Sequence, residues 1–115
     1  MDKRKILRAR YRHMKPEMGV FAVRNKKTGQ CYVEWSNQLK NAMTLLRMRL
    51  DAGEFTQVSQ LQQDWQNIGS SHFAFEVIRQ CRYSTDENKV NYTRELQALK
   101  AECMDLLRKK GYTFY

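Results

Sequence analysis

The stretch Gly19-Val-Phe-Ala-Val-Arg-Asn-Lys-Lys-Thr-Gly-Gln-Cys-Tyr-Val-Glu-Trp-Ser-Asn37 decides how the chain is read. Val20–Arg24 and Cys31–Trp35 are rich in β-branched and aromatic residues, the composition of half-buried strands. Asn25, Lys26, Lys27, Thr28 and Gly29 lie between them, and Gly29 suits the positive φ of a hairpin turn. The two runs therefore predict an antiparallel pair. Strand alternation sends Cys31 and Tyr32 to opposite faces. Tyr32, Glu34 and Trp35 are left crowded at the far end, and that crowding needs a reason.

Downstream, Leu39, Ala42, Met43, Leu46 and Leu50 recur at helical spacing, with Ser36 or Asn37 as the expected cap and Gly53 as the stop. A shorter helix is expected from near Thr56, carrying Val58, Leu61, Trp65 and Ile68 up to Gly69. Phe73, Phe75 and Val77 alternate onto one face of a third strand. Tyr83–Asn88 is a polar loop. Tyr92, Leu96, Leu99, Cys103 and Leu106 then predict a long final helix. The expected fold is α+β: a three-stranded, mainly antiparallel sheet flanked by helices.

Upstream, Pro16 separates the hairpin from a basic segment. Residues 2–14 are expected to form a helix that Pro16 and the restricted Lys15 bring to an end. Residues 1–18 thus read as a basic N-terminal helical extension and residues 19–115 as one domain. The extension dominates the electrostatics. Residues 1–15 hold seven Lys or Arg against one acid, about two-thirds of the formal +9 net charge. A block of this kind attracts polyanions by counterion release. Lys3, Arg4, Lys5, Arg8, Arg10 and Arg12, with Arg24, Lys26 and Lys27 on the hairpin, are the expected nucleic-acid contacts, with DNA placed ahead of RNA.

Other classes find less support. No apolar run reaches the length of a membrane span, and the basic start lacks an apolar core and cleavage site, so no membrane partner and a cytoplasmic location are expected. Cys31, Cys81 and Cys103 are odd in number and widely spaced, which suits reduced thiols better than a disulfide framework or zinc. His13 and His72 have no partner at metal or triad spacing. Trp35 and Trp65 read as core or core-edge residues.

Gly19-Val20-Phe21, ten residues, and then Tyr32-Val33-Glu34 resemble the paired signatures of the GIY-YIG nuclease family. Leu61–Cys81 (LQQDWQNIGSSHFAFEVIRQC) resembles that family's Leu-Gln helix, glycine and Phe-rich third strand. The resemblance implies a GIY-YIG endonuclease-like fold over about Gly19 to Leu107. It also implies a metal-assisted phosphodiester chemistry that uses strand tyrosines, a helix arginine and histidine, and a glutamate.

Carried onto this chain, it makes Tyr32 the surviving catalytic tyrosine and Glu95 the metal ligand, with Glu102 as an alternative two helical turns on. The other reactive positions are replaced: the first tyrosine by Phe21, the arginine by Ala42, the histidine by Leu46, and a glycine by the anionic Glu34. Arg47 and Arg49 share the helix of Ala42 but are expected beyond the face the family uses. Losing a general base costs roughly 10²–10⁴ in rate, and losing a phosphate-stabilising cation costs on the order of 10³ or more. The expectation is a degenerate active site: a nuclease-family domain that binds nucleic acid with cleavage lost or strongly reduced. The alternatives are a divergent endonuclease using Tyr32, Glu95 and bound Mg or Mn, and a protein-interaction module on the same scaffold.

Overall fold

The computed structural model describes residues 15–115. The expected N-terminal helix, and with it Lys3, Arg4, Lys5, Arg8, Arg10 and Arg12, lies outside the described residues. The remainder is an α+β domain. Its strands are β1 (Met18–Asn25), β2 (Gln30–Ser36), β3 (Phe73–Cys81) and β4 (Thr113–Phe114). Its helices are α1 (Leu39–Ala52), α2 (Ser59–Ile68) and α3 (Thr93–Lys109), with a short 3₁₀ turn at Ser70–His72.

The sheet has four strands, not three, in the order β3-β1-β2-β4. β1 pairs antiparallel with β2 and with β3, as the hairpin pattern requires, whereas β4 runs parallel to β2. β4 has two residues, too few to leave an alternating pattern in the sequence. Backbone bonds from Thr113 N–H to the Gly29 carbonyl (3.3 Å) and from Tyr115 N–H to the Cys31 carbonyl (3.0 Å) fix it. Past Cys31, the outer edge of β2 has no strand partner among the described residues.

β1 is the centre of the molecule and is covered on both sides. Phe21 and Val23 face α1 and α2, where they meet Leu39, Leu46, Leu50, Phe55, Leu61, Trp65 and Phe73. Val20 and Ala22 face α3 with Cys31, Val33, Cys103 and Leu107. This accounts for the unbroken apolar run of β1, since a strand buried on both faces has no polar side to show. Cys31 and Tyr32 fall on opposite faces as expected. All three cysteines are free thiols.

Two local devices set the register. The turn closes with Gly29 at φ 77°, its N–H bonded to the Asn25 carbonyl at 2.8 Å, while the Asn25 side chain accepts the Lys27 N–H at 3.0 Å. At the other end Val20 pairs with Arg79 but Phe21 pairs with Val77, so Ile78 is an extra residue in β3. There the backbones close up. A Cβ on Gly19 would stand 2.1 Å from the Arg79 carbonyl oxygen.

The helices depart from expectation at their ends. The N-cap of α1 is Gln38, with no side-chain cap; Ser36 Oγ instead accepts the Gln38 N–H at 2.9 Å. Gly53 closes α1 as expected, and α2 begins at Ser59, three residues later than Thr56. In α3 the buried stripe is Leu96, Cys103 and Leu107, whereas Leu106 is 37% exposed. At 3.6 residues per turn the contact line steps by four after Cys103, toward Tyr112 and Phe114. Residues 82–92 contain no helix or strand, in keeping with a loop. Among the described residues no helix is long and apolar enough to cross a membrane.

Candidate functional site

A groove of about 220 Å³ opens between α1 and the free part of β2. Phe21, only 2% exposed, is its floor, with Tyr32 and Phe55 meeting edge to face at 5.6 Å beside it. Ala42, Leu45, Leu46 and Arg49 form the helical wall, and Glu34, Trp35 and Ser36 form the rim. The wall follows from helix geometry, because positions i, i+3, i+4 and i+7 share one face. By that geometry Arg49 belongs to the groove, against the expectation that it lay beyond the relevant face. Arg47 turns elsewhere and stacks over the Phe75 ring at 4.9 Å.

The groove thus gathers Phe21, Tyr32, Glu34, Ala42 and Leu46, five of the positions singled out in the sequence. Its chemistry is thin. The Tyr32 hydroxyl donates to Glu34 Oε2 at 3.3 Å. Burial, reinforced by the adjacent Glu34 carboxylate, pushes the phenol up to about 12. At neutral pH about one such phenol in 10⁵ is ionised, so Tyr32 is a stable proton donor and a scarce base.

Glu34 has a structural reason to be there. Cys31 turns its carbonyl outward to Tyr115, so alternation turns the main chain of Trp35 outward too, where no strand receives it. Glu34 Oε1 accepts that Trp35 N–H at 3.0 Å and lies 3.5 Å from Lys100 Nζ, which reaches across from α3. The carboxylate therefore satisfies an open sheet edge that would otherwise invite another strand. The crowding of Tyr32, Glu34 and Trp35 is the finish of that edge.

Glu95 stands apart. It lies in the first turn of α3, on the opposite side of the sheet, in a hollow with Lys89, Asn91, Thr93, Arg94 and Gln97. Lys89 Nζ donates to its Oε1, and that hydrogen bond holds the Glu95 carboxyl below the usual carboxylate range. Glu102, the alternative ligand, pairs with Arg79 at 3.7 Å. Tyr32 and Glu95 line separate hollows. Among the described residues no group of three or more His, Cys, Asp or Glu is placed to hold a metal ion.

The hairpin cations also separate. Arg24 is taken up by Glu76, with Nη2 to Oε1 at 2.6 Å, and its guanidinium lies 5.9 Å from the centre of the Tyr112 ring. Lys26 and Lys27 are exposed in the turn, at the end of β2 away from the groove. Arg49, which the sequence reading passed over, is exposed at the groove wall and makes no ion pair among the described residues. Its signal was available as the i+7 spacing from Ala42.

No family model, curated protein or solved structure matches this chain.

Proposed function

We propose that this chain is a GIY-YIG-like domain that binds nucleic acid through its cations, DNA ahead of RNA, and has lost most or all phosphodiester cleavage. One observation carries the reading. Phe21, Tyr32, Glu34, Ala42 and Leu46, from three successive elements, line a single groove; three of the five lack the group that hydrolysis would need, and a fourth, Glu34, sets an anion where the resemblance implies a glycine. The antiparallel pairing of β1 with β2 and β3 is compatible with the scaffold, and the formal charge of +9 supports a polyanionic partner.

The divergent-endonuclease alternative, with Mg or Mn held by Glu95, has less support, because Glu95 is engaged by Lys89 on the far side of the sheet from Tyr32. Fluorescence polarisation of labelled duplex and single strands at two salt concentrations tests the proposal. Binding that weakens steeply with salt is expected, and no binding at low salt overturns it. Incubation with plasmid and Mg or Mn, beside Tyr32→Phe and Glu95→Ala, tests the loss of cleavage. Metal-dependent scission that either substitution abolishes would restore the enzyme reading.

A further inference from the structure

The groove beside β2 is a poor seat for a phosphate and a good one for a flat ring. Phe21, Tyr32, Leu45, Leu46 and Phe55 present hydrocarbon and aromatic surface, against which a bare phosphate would lose its hydration with nothing in return. The polar groups sit at opposite extremes of function: the Glu34 carboxylate at the β2 rim, and the Arg49 guanidinium on the α1 wall. Resting on the nucleic-acid reading above, we propose that this groove receives one unpaired nucleobase from the bound strand, with Arg49 on the adjoining phosphate and Glu34 facing the base edge.

Size, charge and chemistry each narrow the occupant. A space of about 220 Å³ is commensurate with a single base. Leu45 is 55% exposed, a cost in water that a stacked ring would remove. Arg49 supplies a positive charge with no ion-pair partner among the described residues, complementary to a phosphodiester and suited to bidentate contact. The Glu34 carboxylate repels the phosphate and so sets the direction of entry, base first.

A carboxylate is acceptor-only, so the base it favours is one presenting adjacent donors. Guanine does so with N1–H and the 2-amino group, whereas thymine and uracil flank one N–H with two carbonyls. A peptide strand added to β2 is the competing occupant. It would have to displace Glu34 from the Trp35 N–H and from Lys100, whereas a guanine edge need displace only the Lys100 ammonium, 3.5 Å from Oε1, and leaves the Trp35 N–H bonded.

Two duplexes of equal length, one fully paired and one with a single bulged guanine, hold the backbone charge nearly constant and isolate the base. Wild-type protein is expected to bind the bulged duplex about tenfold more tightly. It should bind a bulged thymine no better than the paired control. Leu45→Ser and Arg49→Gln change exposed residues, so the fold should hold, which circular dichroism checks. Leu45→Ser should lose the bulge advantage while binding the paired duplex within about twofold of wild type, whereas Arg49→Gln should weaken the bulged duplex more than the paired one.

Failure of both duplexes to bind at low salt overturns this proposal together with the nucleic-acid reading. Equal binding of the two duplexes overturns this proposal alone, as does a bulge advantage that survives in both variants. Equal binding accompanied by a rise in bis-ANS emission that Leu45→Ser abolishes overturns it in favour of an apolar ligand.

Discussion

The two faces of the sheet are covered in different ways. On one, a single 17-residue helix, α3, lies against β1 and its neighbours and packs Cys103 and Leu107 onto Val20, Ala22, Cys31 and Val33. On the other, α1 and α2 share the work with Phe55 from the loop between them, and they leave a groove beside β2. The same strand thus has a side closed by one long element and a side pieced together from short ones. Each side has a hollow, and the carboxylate expected to complete an active site lines the one on the α3 side, apart from Tyr32. The difference teaches that a groove is made by incomplete cover, and that what lines it need not be reactive.

The comparison can be broken most forcefully at Trp65. This residue is 4% exposed, its ring centre is 5.0 Å from that of Phe73, and its indole N–H donates to Asp51 Oδ1 at 3.0 Å. Trp65→Ala should cost about 4 kcal/mol in urea unfolding. A loss under about 1 kcal/mol would mean that the pieced face contributes little to stability. Gly19→Ala comes next. It sets a methyl against the Arg79 carbonyl where β3 bulges, on neither helical layer, and should cost about 2–3 kcal/mol by the same measurement.

Tyr115→Phe should cost about 1–2 kcal/mol. The lost hydroxyl accepts from buried Asn25 Nδ2 at 3.0 Å and donates to Asp64 Oδ2 at 2.8 Å, and Asn25 would be left without that partner.

Both faces hold groups sensitive to alkali, since burial also raises the Cys31 and Cys103 thiols beneath α3, and the pieced face adds two phenols. Tyr32 and Tyr115 both pack there, and burial raises each phenol from 10.0 to about 12. In the unfolded chain the phenols ionise near 10 and in the folded chain near 12. Their contribution is therefore intact below about pH 10 and is lost as pH climbs toward 12. Unfolding midpoints measured across that window should fall for wild type and fall less for Tyr32→Phe. The smallest effect is expected on the closed face. Glu95→Gln removes an exposed ion pair with Lys89 and should leave the thermal midpoint unchanged. A clear drop would show that this contact carries more than exposed pairs ordinarily do.

How far the sequence could be read followed the length of each signal. The hairpin, α1, α2 and the third strand rest on several residues at one period and are present, although α2 starts three residues late and the bulge in β3 leaves Val77 exposed while Ile78 packs inward. Leu106 gave way to Leu107 because a stripe that alternates threes and fours does not say which step comes last. β4 was invisible because its two residues are held by main-chain bonds to Gly29 and Cys31, which side-chain patterns do not encode. The pairing of Tyr32 with Glu95 failed for another reason. Placing α3 on one face or the other depends on the path of the loop before it, and residues 82–92 contain no periodic pattern from which to read that path. Glu34 is the instructive residue. Only a sheet with β4 stopping at Cys31 reveals the open N–H that it answers.

The central place of β1 bears on how the chain is made. Its first partner, β2, follows within a few residues, but its second partner, β3, begins at Phe73. On a ribosome, one side of β1 must wait, uncovered, while about fifty further residues are synthesised. A nascent chain in that interval displays Val20, Phe21, Ala22 and Val23 beside an unfilled flank, the kind of transient apolar edge that makes incomplete chains prone to aggregate.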